Sequence, residues 1–361
     1  MKIAIVVGTR PEIIKMAPVV RACQSRGTPF LLLHTGQHYS FEMDGVFFEE
    51  LGLPRPHHNL EVGSGSHPAQ LGAILTGLEP ILASERPDVL LVEGDTNSVL
   101  AAALCAHKLG IRVGHVEAGL RSYDRRMPEE INRILTDHLS DDLFAPTEGS
   151  RKILLSESIP DARIHVTGNT VVDEVLLQRE RVRAAARPKR LGVESERYAL
   201  ATVHRAENVD DDARLRGIFD GLAGAGRALG VPVLAALHPR TSKRLAALGI
   251  QVDDTVRLLP PLGYLEFLAL HADAALMLTD SGGLQEEACC LRVPCVTLRD
   301  NTERPESVEA GANVLAGADP ARIVECALAM RAKPRNWMNP FGDGRSGLRI
   351  VDLLLARRPA A

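Results

Sequence analysis

The stretch DVLLVEG, residues 88–94, is apolar for most of its length and ends in an acidic, polar turn. Such a run fits a strand covered on both faces, as in a parallel sheet. A helical pattern follows at 97–109, and the same pairing recurs on either side. KIAIVV (2–7), FLLLHT (30–35), RVGHVEA (112–118), DLFAPT (142–147) and RIHVTG (163–168) read as further strands, with helices such as 11–25 between them. Strand, helix, strand in alternation is the βαβ pattern of a doubly wound α/β parallel sheet.

A polar, Arg-rich helical stretch at 173–190 ends in ARPKR and reads as a connector. The pattern then restarts with YALATVH (198–204), VPVLAAL (231–237), VRLLP (256–260), AALMLT (274–279), VPCVTL (293–298) and NVLAG (313–317). The expected organisation is therefore two α/β domains, 1–170 and 171–344. A last helix within 345–361 is expected to pack back on the first domain. A chain of 361 residues is of the right length for two cores.

Composition narrows the function. The chain is 45% hydrophobic and 24% charged, as soluble globular proteins are. A net charge of −4 supplies no basic field toward nucleic acid or anionic membrane, so neither is expected as a partner. No run of about 20 apolar residues suits a membrane span. MKIAIVV is too short for a secretory h-region and reads as the first strand. Six cysteines, at 23, 105, 289, 290, 295 and 326, show neither CxxC nor metal spacing. They are expected as reduced core thiols in the cytoplasm, with no metal site.

Ligands of open parallel sheets bind beyond the carboxyl ends of the strands. Polar clusters sit at those ends in both halves: GTRPE, GQH, GDT, EAGLRS, HRAEN, DSGG and RDNTERPE. Together they suggest one ligand held in the cleft between domains. TDSGGLQEEA (279–288) is the sharpest. Ser281, Gly282 and Gly283 would leave backbone N–H groups at a helix N-terminus, which suits a phosphate. Glu287, one turn on, could bond a ribose diol, though a plain βα turn with an acidic first turn also fits. Neither GxGxxG nor GxxxxGK[ST] occurs, which argues against a dinucleotide dehydrogenase or a P-loop NTPase.

In GTRPEIIK (8–15), Arg10 and Lys15 could neutralise a diphosphate; otherwise Arg10 satisfies loop carbonyls and Lys15 is solvated. VHRAEN (203–208) offers His204 as a phosphate ligand, a proton donor or a packed histidine. RDNTERPE (299–306) supplies Arg299 and Arg304; Arg304 could reach the phosphates, or is a solvated loop charge. Asp95, Glu117 and Glu129 are three carboxylates available for acid/base work. Alternatively, Asp95 caps the helix near Asn97, and Glu117 pairs with an arginine of GLRSYDRR. In MPEEINR (127–133), Glu129 and Arg133 share one helix face, which is commonly only a surface ion pair. Weaker signals are Gln37 and His38 in TGQHY toward a sugar, GSGSH (63–67) as a lid, and LHPR (237–240), which reads better as a structural turn.

Eight stretches in order carry a family resemblance: GTRPEIIKMAPV, TGQHY, EGDTNSVLAAAL, GHVEAGLRSYDRRMPEEINR, FAPTE, VTGNTVVD, LTDSGGLQEEA and LRDNTERPE. Together they resemble the non-hydrolysing UDP-N-acetylglucosamine 2-epimerases over residues 1 to about 355. The resemblance implies a GT-B architecture, with the active site between two Rossmann-like domains. It implies interconversion of UDP-N-acetylglucosamine and UDP-N-acetylmannosamine by elimination and re-addition of UDP through 2-acetamidoglucal, without NAD or metal, in a homodimer. By the same resemblance Asp95, Glu117, Glu129 and His204 are catalytic. Arg10, Lys15, Arg133 and Arg304 contact substrate or UDP, and Phe267 lies beside uracil. Ser281, Gly282, Gly283 and Glu287 hold the phosphates and ribose.

The chain departs from some members of the family in two places. It has no Arg-Glu pair in VGSGSH (62–67), where some carry a regulatory site, and it has Leu262 where some place a glutamine beside the base. Relatives with the same GDTN and SYDRRMPEEINR wording act on more decorated UDP-sugars such as diacetamido-glucuronates. Competing readings are a GT-B glycosyltransferase, a hydrolysing epimerase and a non-catalytic nucleotide-sugar sensor.

Overall fold

Each of the twelve apolar runs forms a strand, and every strand pairing is parallel. The computed structural model describes residues 1–36, 41–183, 192–260 and 262–357; Gln37 and His38 lie outside them. The chain divides into two units, Met1–Glu174 with Phe341–Ala361, and Val175–Pro340.

The first unit holds β1 (Ile3–Val7), β2 (Phe30–His34), β3 (His58–Asn59), β4 (Val89–Glu93), β5 (Arg112–Val116), β6 (Asp142–Ala145) and β7 (Ile164–Val166). Their order is β3-β2-β1-β4-β5-β6-β7. β3 was not expected, because its two polar residues carry no apolar signature. Chain direction along the sheet reverses between β1 and β4, which register Ile3 against Val89. The loops leaving these two strands, with Gly8 and Asp95, therefore flank the switch point where such sheets bind ligands.

The second unit holds β8 (Ala199–Thr202), β9 (Val233–Ala236), β10 (Val256–Leu259), β11 (Leu276–Thr279), β12 (Cys295–Thr297) and β13 (Asn313–Leu315), in the order β10-β9-β8-β11-β12-β13. Its switch point lies between β8 and β11, which are followed by His204 and by Asp280 and Ser281.

Apolar side chains on the strands meet the inner faces of the helices. In the first unit Val6, Leu33 and Leu90 share one core with Ile74, Leu78 and Ala102. In the second Val233, Ala235 and Leu278 share one with Leu215, Ile218 and Ile323. Cys23, Cys105, Cys289, Cys295 and Cys326 are buried thiols. Burial pushes Cys23 and Cys289 up to about 12, which suits inert packing groups.

The last helix, Ser346–Ala356, packs in the first unit against Arg10–Ser25. Its first two backbone N–H groups, Ser346 and Gly347, donate to the Asp173 carboxylate at 3.0 and 2.8 Å, and Arg26 pairs with Asp352 at 2.7 Å. A Cβ at Gly347 would come within 2.7 Å of the Pro18 carbonyl carbon, so the absence of a side chain permits the close approach.

Candidate active site

The loop after β1 turns directly into the helix Arg10–Ser25. A Cβ on Gly8 would overlap the hydroxyls of Ser98 and Thr35, so only glycine lets the chain pass this close to the helix Asn97–Lys108 and to the residue that follows β2. Glu12 folds back into the turn. Its carboxyl accepts from Gly8 N at 2.6 Å, Thr9 Oγ1 at 3.1 Å and Thr96 Oγ1 at 2.7 Å. Burial pushes it up to about 7, against these hydrogen bonds, which lower it.

One turn on, Lys15 is not solvated. It is buried, with Nζ 3.0 Å from Glu93 Oε1 and 2.5 Å from Glu117 Oε2. Glu93, the last residue of β4, is raised well above the usual carboxylate range. Burial is the main cause, Lys15 opposes it, and the neighbouring Glu117 and Glu12 reinforce it. Glu117 takes Lys15 and an N–H of Asn169 Nδ2 at 2.9 Å. Its φ of 68° is in the left-handed region, a conformation that costs a side-chain-bearing residue about 1–3 kcal/mol and recurs at functional sites.

Asp95 does not cap the following helix; Thr96 holds the N-cap position. The Asp95 carboxylate instead receives Arg133 Nε at 2.9 Å. The pairing read in MPEEINR is also corrected. Arg133 bonds Glu130, three residues back, rather than Glu129, four back. Glu130 is buried because it fastens the preceding loop, accepting from Ser122 N at 2.9 Å, Ser122 Oγ at 3.0 Å and Tyr123 N at 2.8 Å. Glu129 is half-buried in the first turn of Pro128–Leu139. Arg10 is exposed, its guanidinium carbon 4.7 Å from the centre of the Phe47 ring.

In the second unit, β11 ends at Thr279 and the helix Gly282–Leu291 begins after Ser281, its N-cap. Gly282 is buried and Gly283 half-buried; a Cβ on Gly282 would lie 3.4 Å from the Arg304 guanidinium carbon. Arg304 is buried rather than a solvated loop charge, with Nε 3.0 Å from Glu286. Arg299 is also buried, bonding Glu207 at 2.8 Å and Glu303 at 2.9 Å, and so serves the loop's structure. Glu287 is buried 3.5 Å from His271 Nδ1, and Phe267 stands edge-on to the same imidazole at 6.0 Å. Leu262 is half-buried. His204 is exposed except where it meets Asp280, its Nδ1 2.9 Å from that carboxylate.

The LHPR stretch is a turn: His238 caps the next helix by accepting from Arg240 N at 3.2 Å. GSGSH, read as a lid, is tied at its start by Gly63 N donating to Gly36 O at 2.7 Å and by Gln70 donating to Gly63 O at 2.9 Å. Sequence reasoning missed Glu12, Glu93, Glu130, Asn169 and Asp280. For Glu93 and Asp280 a signal was present, an acid closing or following an apolar run at a strand end. Among the described residues no helix is long and apolar enough to cross a membrane, and no cluster of His, Cys, Asp and Glu could hold a metal ion.

Two parallel sheets of seven and six strands, each followed by helices, have the architecture of the GT-B enzymes. Residues 21–355 match the family described as UDP-N-acetylglucosamine 2-epimerase. A relative of that name from Methanocaldococcus jannaschii is 50% identical over 98% of this chain and 99% of its own. The crystal structure of the M. jannaschii UDP-GlcNAc 2-epimerase in complex with UDP-GlcNAc and UDP superposes with a TM-score of 0.93 at 49% identity, covering 99% of this chain and 100% of that one. A Pseudomonas aeruginosa UDP-2,3-diacetamido-2,3-dideoxy-D-glucuronate 2-epimerase is 42% identical over 98% of this chain and 99% of its own. The chain belongs to the UDP-N-acetylglucosamine 2-epimerase family and is an isomerase.

Proposed function

We propose that the enzyme interconverts UDP-N-acetylglucosamine and UDP-N-acetylmannosamine by eliminating UDP to 2-acetamidoglucal and adding it back with the C2 hydrogen on the opposite face. The observation that carries this reading is the juxtaposition of Glu117 with Lys15 and of Asp95 with Arg133 at one switch point, in a chain whose other switch point carries the Ser281-Gly282-Gly283 turn.

The chemistry orders the steps. A sugar C2–H is too weakly acidic for a carboxylate to remove it from the ground state. Cleavage of C1–O must run ahead, leaving positive charge on the ring and negative charge on UDP. In this reading the N-terminus of Gly282–Leu291, Arg304, His204 and Arg10 receive the diphosphate charge. Glu287 and Phe267 hold ribose and uracil. Asp95, Glu117 and Glu129 stabilise the cationic ring and move the C2 proton, taken by a carboxylate oxygen on one face and returned on the other. Lys15 and Arg133 answer the change of charge as these carboxylates gain and lose that proton. The same reading includes a cytoplasmic homodimer, which light scattering would show as a particle of twice the chain mass.

The test is incubation with UDP-N-acetylglucosamine alone in D2O, followed by proton NMR. The manno isomer carrying deuterium at C2 is expected. No isomer and no exchange, from protein that binds UDP, would contradict the reading. The Pseudomonas relative motivates a second reading, a diacetamido-glucuronate substrate, which the same assay distinguishes when that UDP-sugar is supplied instead.

A further inference from the structure

Asp280 is fully buried at the end of β11, immediately before the turn that opens the helix Gly282–Leu291. Its two oxygens are unequal. Oδ2 accepts from His204 N at 2.9 Å, Arg205 N at 2.9 Å and Asn208 Nδ2 at 3.2 Å. Oδ1 receives His204 N more loosely, at 3.1 Å, and faces Nδ1 of the His204 ring at 2.9 Å. Burial alone would raise this carboxyl. The charge and hydrogen bond of His204, with the two backbone N–H groups, outweigh burial and bring it down to about 2, so it is an anion throughout the working range. An ionised carboxylate only accepts, so Nδ1 of His204 must carry hydrogen. In the neutral ring Nε2 then holds the lone pair, and in the protonated ring Nε2–H is the donor not engaged by Asp280.

We infer that Asp280 is a positioning residue: it fixes the Nδ1–H form of His204, dedicates Nε2 to the ligand, and ties that ring to the Ser281 turn. The tautomer follows from the geometry alone, whereas the use of Nε2 toward a leaving diphosphate rests on the proposed reaction. In that reaction protonated His204 donates a hydrogen bond from Nε2 to a β-phosphate oxygen as the C1–O electron pair moves onto UDP. Asp280 stabilises the cation from behind.

The unequal oxygens make Asp280→Asn informative. Its single oxygen must take the Oδ2 place, where three donors converge. Its NH2 then faces Nδ1, which becomes an acceptor and drives the ring hydrogen to Nε2. Long-range 1H–15N correlation spectra of 15N-histidine-labelled protein, with the His204 signal identified by its loss in His204→Asn, read this directly. The expected result is the Nδ1–H tautomer in the unaltered protein and the Nε2–H tautomer in Asp280→Asn, with kcat lowered at least ~10²-fold and UDP affinity within about 10-fold. An Nε2–H tautomer in the unaltered protein would overturn the proposal, as would an Asp280→Asn protein that keeps its Nδ1–H form or its full turnover. If Asp280→Asn does not fold, the spectrum of the unaltered protein still decides the tautomer. If the proposed reaction itself is wrong, no isomer forms in either protein while the tautomer result stands.

Discussion

Lys15 Nζ lies 2.5 Å from Glu117 Oε2 and 3.0 Å from Glu93 Oε1, so one buried ammonium serves two buried carboxyls. Removing one partner of such a group leaves uncompensated charge, a cost of about 3–5 kcal/mol. Lys15→Met is expected to lose about that much in urea unfolding. Adding Glu93→Gln removes one of the orphaned acids and is expected to restore at least about 1 kcal/mol. A Lys15→Met protein of unchanged stability would show that the ammonium does not hold the pair.

Glu129 and Glu130 are adjacent and have opposite roles. Glu130 fastens the Ser122–Tyr123 backbone and Arg133 from a buried position. Glu130→Gln is expected to lower stability by about 3 kcal/mol. Glu129→Gln is expected to change stability by no more than about 0.5 kcal/mol. It should nevertheless lower turnover at least ~10²-fold, because Glu129 is proposed to act on the sugar. Thermal unfolding and initial rates on both variants separate the two; a stable, active Glu129→Gln would remove it from the chemistry.

Glu12 makes the fold pH-sensitive in a defined direction. Its folded value is about 7 against 4.5 for the free side chain, so the native state binds this proton more tightly than the unfolded chain does. The associated stabilisation is complete below about pH 4.5, declines through the interval, and is gone above about pH 7. At about 1.4 kcal/mol per pH unit, the loss is on the order of 3 kcal/mol at most. Glu12→Gln cannot ionise, so its stability relative to the unaltered protein is expected to rise between pH 5.5 and pH 8.5. Parallel denaturation curves at the two pH values check this; an equal difference at both would contradict it.

Gly283 has open space where a Cβ would go. Gly283→Ala is therefore expected to leave stability unchanged or raise it by less than about 1 kcal/mol, since alanine is the better helix former. UDP affinity, read by calorimetry, is expected to fall at least ~10-fold if the phosphates approach that backbone. Unchanged affinity would place the diphosphate elsewhere.

Much of this was legible in the sequence, because strands buried on both faces must be apolar throughout. KIAIVV and AALMLT announce β1 and β11, whereas His58–Asn59 pairs through backbone alone and leaves no pattern. The Ser281-Gly282-Gly283 turn was legible because a helix start needs small residues where a ligand approaches. What periodicity cannot show is which polar neighbours meet. Arg133 was expected on Glu129 from helix spacing, yet its guanidinium turns to Glu130, the other neighbour that helix spacing allows, and to Asp95, a partner set by tertiary packing. Lys15 looked solvated because a lysine near the start of a helix usually is. Its burial against Glu93 and Glu117 depends on β4 lying beside β1 and β5 beside β4, which joins residues as far apart as the 102 positions between Lys15 and Glu117.

The central claim is that the anomeric bond breaks before hydrogen is exchanged at C2. Positional isotope exchange tests it most directly. UDP-N-acetylglucosamine is prepared with 18O in the bridge between C1 and the β-phosphorus, incubated with the enzyme, and examined by 31P NMR. If UDP is released and re-added, rotation of the β-phosphate makes its oxygens equivalent, and the label is predicted to spread into non-bridging positions as the manno isomer forms. Manno isomer accumulating with every label still in the bridge would mean that the C1–O bond never broke.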